Sequence, residues 1–178
     1  MIWRELGIDE ALYRIVVPRW SHAPTSGADA ASKGGRFNRP GQEALYLSTS
    51  VGTAVAEYRQ HAALLRPGTI VTFLVSSLRV VDFSAGFVAG RWIGLWAEYA
   101  CNWRQMAFEH GIAPPCWTLS DMALEAGAAG ILFPSTVDEG GTNLVLYDSS
   151  LLPPAALRVH DPGHDLPASP RAPDPTRR

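Results

Sequence analysis

The sequence predicts an α+β domain in which a bent, mostly antiparallel sheet is flanked by helices. Three observations carry that expectation. Short runs rich in β-branched and aromatic residues recur along the chain, and two longer stretches place apolar residues at helical spacing. Strands and helices follow one another in mixed order, without the regular alternation of a doubly wound fold. The chain has 178 residues, 47% of them apolar, which is the length of one domain and enough to build a core.

Leu12 to Val17 reads as a first buried strand, ended by Pro18. From Ser21 to Glu43 the chain is dense in Ser, Gly, Pro and Asn, and loops of that length in a compact domain are functional or disordered. Ala44 to Leu47 is a second short strand. The hydroxyls of Ser48, Thr49 and Ser50 then offer a cap for a helix from about Val51 to Leu65. Its apolar stripe is Val51, Ala54, Val55, Tyr58, Ala62 and Leu65, and Pro67 and Gly68 stop it.

Thr69 to Val75 is a strong strand, and Arg79 to Phe83 a weaker one in the same sheet system. Trp92 to Glu109 carries Trp92, Leu95, Trp96, Tyr99, Trp103, Met106 and Ala107 at helix-like spacing before Gly111, which predicts a core-packing helix. Ser120 or Asp121 caps a short helix to Ala126. Two further strands follow, Gly130 to Phe133 and Asn143 to Tyr147, with a turn at Asp138 to Asn143. Beyond Leu152 the composition turns to Pro, Asp, His and Arg, so residues 1–152 are expected to form the domain and 153–178 a flexible tail.

The formal net charge of −2 argues against a surface that tracks phosphate backbones, so nucleic acid is not an expected direct partner. Cys101 and Cys116 form neither a disulfide framework nor a zinc spacing, and the histidines are isolated or lie in the tail, so no metal is expected. The chain start lacks a signal pattern, and no apolar run approaches the ~20 residues of a membrane span. A cytoplasmic location is the expectation. No nucleophile elbow, phosphate loop or catalytic-cysteine signature is present.

Several residues stand out against this background. Arg14 sits in the middle of an apolar strand, where it must be paired or face a cleft. In Gly34–Gly35–Arg36–Phe37–Asn38 the glycines permit close backbone approach to a ligand, and Arg36 offers a planar fork suited to a diphosphate; the plain alternative is a solvated loop charge. Tyr46 faces away from Leu45 and Leu47, in the core or in a site. Glu57 lies off its helix stripe, on the side of Ser50 and Thr53, where most glutamates are merely solvated. Ser135 follows Pro134 at a strand end and signals nothing alone.

In order, Tyr13–Arg14, Ser26–Gly27, Gly34 to Asn38, Ala44 to Ser48, Ala54 to Glu57 and Pro134–Ser135 closely resemble the RES-domain toxins. The resemblance spans about Leu12 to Asp148. It implies a fold similar to ADP-ribosyltransferase toxins, and a bacterial toxin held inactive by an Xre-like antitoxin protein. It also implies NAD as substrate: some members hydrolyse or phosphorolyse it, others pass its ADP-ribose to a target protein. Arg14, Arg36, Tyr46, Glu57 and Ser135 each match a family position, while Phe37 stands where many members have Trp. Transfer to a protein is the expected reaction, with NAD hydrolysis or phosphorolysis as the alternative.

Under that resemblance Glu57 would stabilise the cation left on the ribose, Tyr46 would stack on nicotinamide, and Arg14 and Arg36 would hold the diphosphate or ribose. Ser135 would hydrogen-bond a ribose hydroxyl or the carboxamide. A non-catalytic binding module is the competing class, and the intact Arg14, Glu57 and Ser135 argue against it.

Overall fold

The structure is a computed structural model that describes residues 1–8, 10–60, 64–147, 150–151 and 153–170. Its strands are β1 (Trp3–Leu6), β2 (Ala11–Val16), β3 (Ala44–Ser48), β4 (Thr69–Ser76), β5 (Leu78–Asp82), β6 (Gly130–Pro134), β7 (Thr142–Tyr147) and β8 (Ala156–Val159). The helices are α1 (Ala28–Lys33), α2 (Val51–Arg59) and α3 (Pro115–Glu125). The strands form one sheet in the order β1-β5-β6-β7-β3-β2-β4-β8. Every pairing is antiparallel except that of β5 with β6. The α+β class with a bent, mostly antiparallel sheet is therefore the observed one.

Two features bend the sheet. β4 runs into β5 through Ser77 alone, whose φ of 51° turns the chain from one half of the sheet to the other. At the opposite junction, β2 and β3 share only the Tyr13–Ser48 pair, whereas β2 pairs with β4 along its whole length and β3 with β7 likewise. The halves thus close face to face. Leu12, Val16, Val71, Phe73 and Val75 meet Leu45, Leu47, Val80, Leu132, Leu144 and Leu146 in a shared core.

The residues alternating with these on β5, β6 and β7 face a second core. Val81, Ile131, Phe133, Val145 and Tyr147 pack there against Trp92, Trp96 and Trp103 and against Cys116, Leu119 and Ala123 of α3. Burial on both faces explains why β6 and β7 read as unbroken apolar runs.

The expected helix from Trp92 to Glu109 is instead a 3-10 turn at Gly94–Glu98 and a single π-turn at Gln105–Glu109. The side chains converge on one ring. Trp92, Trp96 and Tyr99 lie with ring centroids 4.9, 4.6 and 5.0 Å from that of Phe83, and this convergence produces the helix-like spacing without a continuous helix. α3 starts earlier than expected, at Pro115, because proline fits the first helical position.

Among the described residues α2 ends at Arg59; residues 61–63 of the expected helix lie outside them, and Leu64 and Leu65 beyond are 82% and 57% exposed. β1, α1 and β8 were not expected. β8 corrects the reading of residues 153–178 as a tail at 156–159, where Leu157 and Val159 pack on the shared core and the strand pairs with β4 from Ser76 to Phe73. Four residues among prolines are too short for a period-two signal. Residues 171–178 lie outside the described part. No helix among the described residues is long and apolar enough to cross a membrane.

Candidate active site

The splayed junction of β2 and β3 opens a cleft of about 400 Å³, within the roughly 300–1,000 Å³ of small-molecule sites. Arg14, Arg36, Tyr46 and Glu57 all line it, and Ser135 joins them through Glu57 rather than as part of its wall. Residues as far apart in sequence as Arg14 and Ser135, 121 positions, thus meet at one place. Among the described residues no cluster of His, Cys, Asp or Glu could hold a metal.

The turn Gly34 to Asn38 borders one side of the cleft through Gly34, Gly35 and Arg36. Gly34 has φ +71°, and Gly35 is packed so closely that a Cβ there would lie 2.4 Å from both the Tyr46 hydroxyl and Asn38 Oδ1. Only glycine fits. The Tyr46 hydroxyl accepts from the Phe37 amide at 2.9 Å and donates to Asn38 Oδ1 at 2.8 Å. Burial pushes the Tyr46 phenol well above its ordinary range, so it stays protonated and its hydroxyl is fully engaged. What Tyr46 leaves for a ligand is its ring.

Asn38 is buried and donates from Nδ2 to the carbonyls of Ala30, Arg39 and Gln42 at 2.9, 3.2 and 3.0 Å. Phe37 is fully buried against Phe133, and its carbonyl accepts from the hydroxyls of Ser120 and Tyr147. The indole of Trp117 donates to the Gly35 carbonyl at 2.9 Å. The turn is therefore held from α1, α3 and β7 at once. Asn38→Ala removes the donor to three carbonyls and is expected to cost about 1–3 kcal/mol, read as a lower midpoint in urea unfolding.

Glu57 is fixed by two elements. Ser135 Oγ donates to its Oε1 at 2.8 Å and Asn143 Nδ2 donates to the same oxygen at 2.5 Å. Asn143 is in turn oriented by Ser48, whose hydroxyl donates to Asn143 Oδ1 at 2.8 Å. Oε2 has no hydrogen-bond partner among the described residues. The helix that carries Glu57 is started by Ser50, whose Oγ accepts from the Thr53 amide at 3.0 Å, and Thr53 donates to Asp138 Oδ2 at 2.7 Å, which pins the Ser135 loop. A carboxylate locked through one oxygen, with the other free, can stabilise a neighbouring cation or accept from a hydroxyl.

The two arginines are partly committed. Arg14 Nη1 donates to the carbonyls of Pro24 and Ser26, and Arg36 Nη1 to those of Tyr99 and Cys101. Burial draws the Arg14 guanidinium below its ordinary value, and Asp29 opposes that shift. Each arginine thus ties a loop to the cleft.

Sequence reasoning missed Asn143, Ser48 and Asn38. Asn143 stands at the start of its strand beside Thr142, where a polar side chain draws no notice, yet it is 5% exposed. Its partner Ser48 lies 95 residues away, and spacing along the chain holds no trace of that.

Comparison with known proteins places the chain as a whole among others. Toxin Res of Yersinia enterocolitica serotype O:8 / biotype 1B is 28% identical over 139 residues, covering 76% of this chain and 82% of that protein. The fold matches a chain of the crystal structure of the M. tuberculosis MbcT-MbcA toxin-antitoxin complex with a TM-score of 0.60 and 21% identity, over 90% of this chain and 84% of that one. A family model described as the RES domain matches residues 11–170. With that match running through nearly all of the described sheet, the chain belongs to the RES domain family.

Proposed function

We propose that this chain is the toxin of a toxin–antitoxin pair and that it breaks the nicotinamide–ribose bond of NAD in the cleft between β2 and β3. The observation that carries the reading is Glu57, held through Oε1 by Ser135 and Asn143 with Oε2 open, in the same cleft as the Tyr46 ring and two arginines. The relative named as a toxin and the structural neighbour solved in a toxin–antitoxin complex support it. An antitoxin protein that covers the cleft is the expected restraint.

In the reaction the bond from ribose C1′ to the pyridinium nitrogen breaks, its electron pair leaves with neutral nicotinamide, and positive charge spreads over the ribose ring. Glu57 Oε2 faces that charge or accepts from a ribose hydroxyl. The cationic nicotinamide ring stacks on Tyr46. Arg14 and Arg36 offer their remaining N–H groups to ribose and diphosphate. Ser135 acts by positioning Glu57, a narrower role than contact with the ribose.

An acceptor then attacks C1′, and a protein side chain is our first reading, with water and phosphate the alternatives. Incubation with NAD labelled in its adenylate half, with and without cell lysate, tests this. A labelled protein supports transfer; free nicotinamide without one supports hydrolysis, or phosphorolysis where turnover requires phosphate. Absence of both products would overturn the reading in favour of a binding module.

Asn143→Asp sets a second carboxylate against Glu57 in place of an amide donor. It is expected to lower kcat for nicotinamide release by roughly 10–100-fold with a smaller change in KM, since a lost charge-assisted hydrogen bond is worth about 1.5–3 kcal/mol. An unaltered kcat would remove Asn143 from the site.

A further inference from the structure

Arg104 lines the same cleft as Glu57 and has been left without a role. It is exposed, and its guanidinium lies 4.5 Å from the ring centroid of Trp103, a side chain 6% exposed and anchored in the second core. Among the described residues its side chain makes no hydrogen bond and no ion pair. The other cleft arginines differ: Nη1 of Arg14 holds the Pro24–Ser26 loop, and Nη1 of Arg36 holds the Tyr99–Cys101 segment. Of the two acids that line the cleft, Asp29 is paired with Lys33 at 2.7 Å and Glu57 is held through Oε1 by Ser135 and Asn143.

We propose that Arg104 is the principal binding residue for the diphosphate of the dinucleotide, an inference that rests on the NAD reading above. A planar cation laid on an immobile indole is limited in its sweep, so its paired N–H groups meet a diphosphate at low ordering cost. Bidentate donors match a diphosphate well. Arg14 and Arg36 could supply them only from what their carbonyl contacts leave, because releasing those contacts frees two loops. Arg104 brings its whole fork. It belongs to substrate binding, leaving bond cleavage to Glu57.

The test is titration of ADP-ribose, which carries the diphosphate without nicotinamide, into the purified protein and its variants. Arg104→Ala is expected to weaken ADP-ribose roughly 10–100-fold, as befits a lost charge-assisted contact, and to raise KM for NAD more than it lowers kcat. Arg104→Lys recovers part of the affinity. Arg79 provides the control, since it stacks on Trp3 at 3.9 Å but lines no part of the cleft; Arg79→Ala is expected to bind as the parent does. Unchanged ADP-ribose affinity in Arg104→Ala, or an equal loss in Arg79→Ala, overturns this assignment alone. Failure of the parent protein to bind ADP-ribose and to release nicotinamide overturns it together with the NAD reading.

Discussion

Glu57→Gln is expected to lower nicotinamide release from NAD by roughly 10²–10³-fold, the scale of removing one preorganised electrostatic contact from a transition state. The substitution isolates charge from shape. Gln keeps a carbonyl oxygen where Oε1 now accepts from Ser135 and Asn143, so the side chain can hold its place while losing the negative charge that faces the ribose. The loss should fall on kcat, because the ribose carries its positive charge only as the bond breaks. Glu57→Ala removes the acceptor as well and leaves Asn143 Nδ2 without its partner, so that variant is expected to lose stability besides activity. Measured side by side, near-parental thermal unfolding with lost turnover in the Gln variant would separate chemistry from folding. Full turnover by Glu57→Gln would end the proposal that this carboxylate does the work.

How far the site was legible in the chain depends on what each residue had to contrast with. Arg14 was visible because a charge interrupts an apolar strand, a local contrast; Glu57, off its helical stripe, read alone as a solvated carboxylate, and the resemblance to the RES-domain toxins singled it out. The glycine pair drew notice to Arg36 and Gly35, with a solvated loop charge as the plain reading until the resemblance was added. The meaning of Gly35 was not, since it lies in the closeness of Tyr46 and Asn38 packed onto it. The strands β4, β6 and β7 were legible from their apolar runs, and the regions that failed had tertiary causes. The Trp-rich stretch follows the position of Phe83, not an internal hydrogen-bond ladder. β8 exists because β4 presents a free edge for Leu157 and Val159 to complete.

The bend at the β2–β3 junction was legible only as a fold class, yet it is what makes the site. With a single residue pair joining these strands, the side chains of β2 and β3 diverge and leave room between Arg14 and Tyr46. A fully paired β2–β3 ladder would close that space. The long Ser21–Glu43 segment then has a structural reason: it supplies α1 and the Gly34–Asn38 turn that line one side of the opening, and the Pro24 and Ser26 carbonyls that Arg14 holds. Its length is explained by the cleft it borders.

Gly35→Ala should therefore damage both stability and activity, through one added methyl. The new Cβ would lie 2.4 Å from the Tyr46 hydroxyl, 2.8 Å from its Cζ and 2.4 Å from Asn38 Oδ1, all side chains held by their own hydrogen bonds. Tyr46 cannot swing away cheaply, because its hydroxyl receives the Phe37 amide and Phe37 is locked between Phe133 and the Ser120 and Tyr147 hydroxyls. Overpacking costs about 1–3 kcal/mol, and a broken buried hydrogen bond about 1–3 kcal/mol more. For a domain of this size a loss of about 2–6 kcal/mol lowers Tm by roughly 4–24 °C. Nicotinamide release should fall with it even well below the new Tm, since the displaced ring is the one proposed to stack on nicotinamide. Gly94→Ala is the matched control: nothing lies within 4 Å of a Cβ there and its φ is not positive, so its Tm is expected to stay near that of the parent. A Gly35→Ala variant with a Tm as near the parent's as that of Gly94→Ala would mean that residue 35 tolerates a side chain, and the Tyr46–Asn38–Phe37 clamp would no longer explain how the cleft is held open.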